Sequence, residues 1–181
     1  MIVLIPLSVM VMITAPVLIP VFCGSAYGPS ILTIQILAPI MVFLGISGIM
    51  GTKVLYAMDY QRIVIICTGF GAVSNFLLNL LLIPHFSYHG AAVASLVAEF
   101  LVSVSMLYYA YKLINVSIFD KSLIQTLIGS LLVAVTVIVV NRNIQVMPLL
   151  LLFIDFSIGA LVYLLVMIAM KNENICRLFS K

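Results

Sequence analysis

Long stretches without a charged residue are the feature of this sequence that most constrains its fold. No charged residue precedes Lys53, none lies between Arg62 and Glu99, and none lies between Lys121 and Arg142. Hydrophobic residues make up 65% of the chain and charged residues 7%, whereas a soluble domain carries about 25% charged residues. A helix needs about 20 apolar residues to cross the hydrocarbon core of a bilayer. The sequence therefore predicts an integral membrane protein.

The apolar stretches predict helices rather than a β-barrel. Lipid offers no hydrogen bonds to the backbone, so only helices and closed barrels span a membrane. A barrel strand alternates apolar and polar residues over about ten positions. The stretches here are continuously apolar, as in LIGSLLVAVTVIVV and LLLLFIDFSIGALVYLLVMIAM. We therefore expect an all-α, polytopic membrane protein.

Turn residues and charges divide the chain into six predicted spans, which we expect to form a single transmembrane bundle over residues 1–181. Pro84 and Pro148 lie at predicted helix boundaries, where a missing N–H does least harm. The predicted spans lie near residues 2–22, 30–57, 63–83, 90–113, 122–140 and 147–170.

The basic residues predict the orientation of the chain. If both termini are cytoplasmic, seven of the eight Lys and Arg residues lie on the cytoplasmic side and only Arg142 lies outside. Such an excess of cytoplasmic Lys and Arg is the usual bias of membrane proteins. Orientation and contact with anionic headgroups explain the net charge of +3, so we expect no nucleic-acid partner. The seven residues are Lys53, Arg62, Lys112, Lys121, Lys171, Arg177 and Lys181.

The sequence contains no pattern typical of an enzyme or of a cofactor site. We find no glycine-rich phosphate loop, no cluster of metal ligands and no spacing typical of a nucleophile triad. The cysteines Cys23, Cys67 and Cys176 fit no metal or redox spacing, and we interpret them as packing residues. We therefore expect no catalytic activity, no metal and no cofactor.

Polar and small residues concentrate where the third and fourth predicted spans meet, on either side of a tight outer turn at HFSYH. Residues that recur every four positions share one face of a helix. Small residues allow membrane helices to approach closely, and asparagine amides form hydrogen bonds between them. Asn75 and Asn79 therefore serve either as packing contacts or as the lining of a pathway. The two stripes consist of Gly71, Asn75 and Asn79 on one span and Ala91, Ser95, Glu99 and Ser103 on the next.

Two acidic residues lie inside predicted spans. At about 1.5 Å per residue, Glu99 lies about 13 Å into its helix, near the middle of the bilayer. An ionised carboxylate there costs at least several kcal/mol unless it is paired, hydrated or protonated. Glu99 is therefore either a titratable pathway residue or a neutral structural one, and Asp155, followed by Gly159 at helical spacing, is a second candidate. His85 and His89 lie in the outer turn, as solvated residues or as pH sensors.

Three motifs carry a family resemblance over about Pro6 to Tyr111. The pattern N-x-x-x-N-x-x-x-I-P followed by G-A-A, over residues 75–92, resembles the carboxy-terminal half of polysaccharide-biosynthesis flippases. These are the O-antigen and capsule repeat-unit translocases of the multidrug/oligosaccharidyl-lipid/polysaccharide exporter superfamily. FCGSAY (residues 22–27) and GTKVLYAMDYQR (residues 51–62) are similar to two turns of that family, in the same order. The sequence departs from the family at Ser87 and Asp59, where the family usually has glycine.

The resemblance implies a two-bundle transporter of the bacterial cytoplasmic membrane. Such proteins pass an undecaprenyl-pyrophosphate-linked oligosaccharide to the outer leaflet by alternating access between the bundles. The resemblance implies that this chain is one bundle and that an amino-terminal bundle is missing. Its partners would be the lipid-linked oligosaccharide, membrane lipids, and a separate amino-terminal bundle or a second copy. A pyrophosphate favours Arg or Lys contacts, and Lys53 and Arg62 at the cytoplasmic mouth either meet it or serve as orientation signals.

Two other functions stay open. One is a drug or cation antiporter of the same superfamily, because fold alone does not separate it from a flippase. The other is a non-transporting membrane subunit or an inert remnant. For a transporter, the predicted pathway residues are Glu99, Asn75, Asn79, Asp155 and Lys53.

Overall fold

A computed structural model describes residues 1–114, 121–143 and 146–170, and every regular element in these ranges is helical. The all-helical prediction is therefore confirmed for the described part of the chain. Five helical segments within it are long and apolar enough to cross a membrane. The predicted cytoplasmic residues Lys171, Arg177 and Lys181 lie outside the described residues, as do Cys176 and residues 115–120 of the predicted fourth connection.

The elements follow the punctuation of the sequence. Helices α2 and α3 are separated at Pro39, which has no backbone N–H to continue the first helix. Helix α6 begins on Pro148, in the first turn, where a missing N–H breaks no helical bond. The α-helices are α1 (Leu4–Phe22), α2 (Ser30–Leu37), α3 (Ile40–Ser47), α4 (Gln61–Ile114), α5 (Lys121–Asn143) and α6 (Pro148–Ala169). A π-helix at Gly48–Leu55 and 3-10 turns at Ser25–Tyr27 and Tyr56–Met58 complete the described elements.

Helix α4 is a hairpin rather than a straight rod, because the chain reverses at Ser87. This residue has non-helical backbone angles (φ 50°, ψ −131°) between two helical arms, residues 61–86 and 88–114. Across the arms, the Asn75 amide Nδ2 donates to the Ser95 hydroxyl at 3.5 Å. Nearer the reversal, Gly90 lies directly against the backbone of Leu82. The two arms are thus antiparallel, and the reversal falls inside the predicted turn at residues 85–89.

The chain forms two compact units, with a boundary inside α2. The first contains the described parts of Met1–Gln35 and Ile118–Lys181. Helices α1, α5 and α6 pack together there, and the Tyr163 hydroxyl donates to the Ile2 carbonyl at 2.6 Å. A hydrophobic cluster in the core of this unit consists of Met10, Val133, Val137, Tyr163 and Met167.

The second compact unit, Ile36–Ser117, is built from α3, the π-helix and the α4 hairpin. The second arm packs on α3, where the Ser103 hydroxyl donates to the Phe43 carbonyl at 2.7 Å. The rings of Phe43 and Phe100 meet edge to face, with centroids 5.3 Å apart, an arrangement favoured by aromatic quadrupoles. The arrangement of the whole chain as one bundle stays a prediction.

Two residues other than glycine adopt a left-handed φ. Asp59 (φ 63°, ψ 15°) follows the Tyr56–Met58 turn, and aspartate is among the residues that tolerate this conformation. Ser87 (φ 50°, ψ −131°) lies outside the left-handed helical region. Such a conformation costs a residue with a side chain about 1–3 kcal/mol. Strain is therefore concentrated at the reversal of α4.

Ser87→Gly is expected to stabilise the protein by about 1 kcal/mol, because glycine adopts this conformation without a β-carbon clash. The greater entropy of glycine in the unfolded chain offsets part of the gain. The measurement is the free energy of unfolding in mixed micelles titrated with a denaturing detergent. Ser87→Ala is the matched control, since it removes the hydroxyl but keeps the β-carbon, and it should give no gain. Equal stabilities of the glycine and alanine variants would contradict strain at this position.

Candidate functional site

A groove of about 750 Å³ lies in the second compact unit, between α3, the π-helix and both arms of α4. Its volume falls within the range of about 300–1,000 Å³ that is usual for small-molecule sites. Most of the lining is apolar, but hydroxyl, amide and carboxyl groups converge on it. These polar lining residues are Ser47, Thr52, Thr68, Asn75, Ser95 and Glu99.

Glycines allow the helices around this groove to meet closely. A β-carbon on Gly51 would lie 2.8 Å from the sulfur of Met106, and one on Gly71 would lie 2.1 Å from Val102 Cγ2. Both glycines line the groove. Small residues are the usual contacts of membrane helices, because they let backbones approach. The same residues that bring the elements together thus leave the space beside them open.

The two asparagines of the first arm form a short hydrogen-bonded chain. The Asn79 Nδ2 donates to Asn75 Oδ1 at 2.7 Å, and Asn75 Nδ2 donates to Ser95 Oγ. Asn75 and Ser95 also line the groove, whereas Asn79 is not among its lining residues. These bonds are those expected of helix packing. Asn75 therefore both packs against the second arm and lines the groove. Asn79 does not line the groove, and its hydrogen bond orients the Asn75 amide.

Glu99 gives the groove its electrostatic character. The side chain is half-buried and lines the groove, and it is the only ionisable group among the described lining residues. Lys53 and Arg62 are exposed, and neither is among the residues that line the groove. The described lining therefore holds one acidic group and no basic counterpart. Such a surface favours neutral polar or cationic groups over anionic ones.

The predicted site residues do not all come together. Glu99 and Asn75 line the groove of the second unit, with Asn79 hydrogen-bonded to Asn75. Asp155 is fully buried in α6, in the first unit. Lys53 lies exposed in the π-helix.

The predicted turn histidines lie beside the reversal of α4. His85 is exposed and His89 is half-buried. The His89 ring lies 4.4 Å from the Tyr88 ring, measured between centroids. Neither histidine is among the lining residues of the groove.

Sequence reasoning missed the hydroxyl groups of Ser47, Thr52 and Thr68. Thr68 precedes Gly71 and Asn75 at helical spacing, so extending that stripe by one turn would have found it. Thr52 lies in the π-helix, where its hydroxyl donates to the Gly48 carbonyl. A π-helix is rare and is often found at functional sites. No recognised sequence signal marks a π-helix, so the position of Thr52 on the groove surface could not be predicted.

In the part of the chain that the structure describes, every regular element is helical, five segments have membrane-spanning length, and a polar groove lies in one of the two units. The resemblance to polysaccharide-biosynthesis flippases stays a prediction from the sequence motifs. No family model, curated protein or solved structure matches the chain.

Proposed function

We propose that this chain is one bundle of a transporter that moves undecaprenyl-pyrophosphate-linked oligosaccharides across the bacterial cytoplasmic membrane. The groove of the second unit is the part of the pathway that this chain supplies. The observation that carries the proposal is the convergence of amide, hydroxyl and carboxyl groups on a 750 Å³ space among apolar helices of spanning length. Polar side chains inside membrane spans usually face protein or a water-filled cavity and mark substrate pathways.

In this proposal each arm of α4 crosses the membrane separately, which gives six crossings and places both termini in the cytoplasm. At about 1.5 Å per residue, each arm is about 40 Å long. A hydrocarbon core is about 30 Å thick, so either arm suffices for one crossing. The reversal at Ser87 then lies on the outer side, and Lys53, Arg62 and Lys112 lie on the cytoplasmic side, as the bias of basic residues favours.

The backbone supports the family resemblance at the two positions where the sequence departs from it. Ser87 and Asp59 stand where the family usually has glycine. They are also the two described non-glycine residues with a left-handed φ. Glycine is the residue best suited to that conformation. A glycine of the family would therefore fit the backbone that this chain has at both positions.

The groove suits the sugar part of the substrate rather than its pyrophosphate. Sugar hydroxyls both donate and accept hydrogen bonds, and the groups of Asn75, Ser95 and Thr68 supply matching partners. A pyrophosphate favours Arg and Lys, and the described lining holds neither. We assign the main pyrophosphate contacts to a partner bundle, with Lys53 and Arg62 at the cytoplasmic mouth as secondary contacts. The proposed role involves no catalysis, metal or cofactor.

Glu99→Gln is expected to reduce translocation at least tenfold and to alter its pH profile, because it removes the only ionisable group of the described lining. The measurement is surface polysaccharide in a flippase-deficient strain that carries the chain together with a partner bundle. Asp59→Asn, which neutralises an exposed turn carboxylate, is the matched control and should leave translocation unchanged. Wild-type rates and an unchanged pH profile in Glu99→Gln would contradict the pathway role.

A drug or cation antiporter is the second candidate, and the acidic lining of the groove favours it. An acidic group without a basic counterpart attracts a cationic ligand when it is ionised. Uptake of the cationic dye ethidium into proteoliposomes separates the candidates. Uptake that depends on Glu99, without restored surface polysaccharide in cells, would favour the antiporter over the flippase.

A further inference from the structure

An apolar groove of about 440 Å³ lies in the first compact unit, between α6 and the stretch from Ile2 to Met10 at the start of α1. No charged or amide side chain is among its described lining residues. Tyr163 carries the one hydroxyl group of this lining, and that hydroxyl donates to the Ile2 carbonyl. An occupant of the groove is therefore held by apolar contacts rather than by hydrogen bonds to side chains.

Two small residues of α6 keep the groove open. Gly159 packs against Met10, since a β-carbon on Gly159 would lie 2.8 Å from the terminal methyl group of Met10. Ala160 follows directly and is exposed. Both small residues line the groove, where a larger side chain would fill the space. The buried lining residues form the floor of the groove, and three larger, exposed side chains form its walls, namely Val3, Leu7 and Leu164.

The groove occupies one half of the contact between α1 and α6. From Ile2 to Met10 it extends over about 12 Å, at about 1.5 Å per residue. One leaflet contributes about 15 Å, half of a hydrocarbon core of about 30 Å. A second apolar groove, of about 300 Å³, lies at the other end of the same two helices and shares only Phe156 with the first. Residues 11–17 line neither groove, so each groove lies in its own half of the spanning length.

A partner helix does not fit this space. A helix about 10 Å wide occupies roughly 900 Å³ over a length of 12 Å, which is about twice the volume of the groove. It would rest on the walls and leave the floor empty. A spanning helix would also meet the interruption between the two grooves. Water is absent from the hydrocarbon core of a bilayer, and apolar cavities stay dry. A single hydrocarbon chain is narrow enough to reach the floor and enters each groove from its own leaflet.

We propose that the 440 Å³ groove binds one acyl chain of a phospholipid, from the leaflet at the amino-terminal end of α1. The chain contacts the floor and the walls at once, so it gains more dispersion contacts than a chain on a convex helix surface. Because lipid tails are as apolar as leucine, this packing distinguishes the bound lipid from its neighbours. The proposal requires only that α1 and α6 cross a membrane, for which both are long and apolar enough. It does not depend on the flippase proposal.

The test is native mass spectrometry of the full chain released from mild-detergent micelles, which counts the phospholipids that each chain retains. Ala160→Trp fills the groove from an exposed position and is expected to retain one phospholipid fewer than the wild type. Leu161→Trp is the matched control, because Leu161 is exposed and does not line the groove; it should retain the wild-type number. Equal counts in the wild type and both variants would overturn the proposal.

A second variant keeps the test decisive if Ala160→Trp folds poorly. Leu7→Ala combined with Leu164→Ala removes two walls without adding bulk, and it should also retain one phospholipid fewer. Leu165→Ala, at an exposed position outside the lining, should retain the wild-type number. A loss in this control equal to that in the double variant would contradict binding in the groove.

The same spectra separate the proposed occupant from two others. An excess of undecaprenyl phosphate in the micelles should leave the phospholipid count of the wild type unchanged. Displacement of the phospholipid by this probe would assign the groove to a prenyl tail and overturn the proposal. A wild-type dimer that Ala160→Trp converts to a monomer would assign the groove to a second copy, which would also overturn it. No transport is measured, so the result is independent of translocation.

Discussion

Gly90→Ala is expected to open the α4 hairpin, with a loss of about 3 kcal/mol or more. A β-carbon at this position would lie 2.5 Å from the carbonyl oxygen of Leu82 and 2.7 Å from its carbonyl carbon. Real β-carbons essentially never approach another heavy atom within 3.0 Å. Both contacted atoms belong to the backbone of the first arm, so rotation of a side chain does not relieve the overlap. The arms must separate or the helix must distort.

The measurement is the distance between spin labels on the two arms, at the exposed positions Leu77 and Val93, in a background without native cysteines. Gly90→Ala should broaden the distance distribution and shift it to longer values. Gly69→Ala is the matched control, because a β-carbon there meets no atom within 4 Å. An unchanged distance in Gly90→Ala, with unchanged stability, would contradict the close contact at the reversal.

Gly71→Ala is expected to destabilise the same hairpin by about 2 kcal/mol, through a contact that a second substitution removes. The new β-carbon would lie 2.1 Å from Val102 Cγ2, and the next nearest atoms lie at 3.5 Å or beyond. Val102→Ala deletes the overlapping methyl group. The double variant should therefore recover most of the stability that Gly71→Ala loses.

A double-mutant cycle measures this coupling from the free energies of unfolding of the wild type, both single variants and the double variant. We expect a coupling energy of at least about 1 kcal/mol, because residues in contact usually couple by about 0.5–3 kcal/mol. Gly69→Ala combined with Val102→Ala is the control pair and should be additive. Additivity of Gly71→Ala and Val102→Ala would show that the two positions do not touch.

The sequence predicted the helical elements because their causes are local. Continuous apolar stretches predicted helices, and Pro148 correctly predicted the start of α6. Pro84, also predicted at a helix boundary, lies inside the first arm of α4, and the helix is interrupted only at Ser87. The structure divides the predicted span at residues 30–57 into α2, α3, a π-helix and a 3-10 turn. Pro39 explains the first break, since its ring removes a helical hydrogen bond. The π-helix depends on packing around Gly48–Leu55, which a local pattern does not encode.

The candidate site was predictable only where helical spacing determines it. Asn75 and Ser95 were placed on facing stripes, and their side chains meet across the hairpin. Lys53 was predicted near the pathway but lies exposed, as expected of a long side chain whose charge is best solvated.

The π-helix at Gly48–Leu55 borders the groove with Gly48, Gly51 and Thr52. Its wider turn holds more residues than an α-turn of 3.6 residues. Relaxing it to an α-helix would shift the phase of the flanking helix by one residue, which corresponds to a rotation of about 100°. Ser47, the last residue of α3, would then rotate away from the groove, and other residues of α3 would rotate toward it. The wider turn of this π-helix thus determines which face of α3 lines the groove.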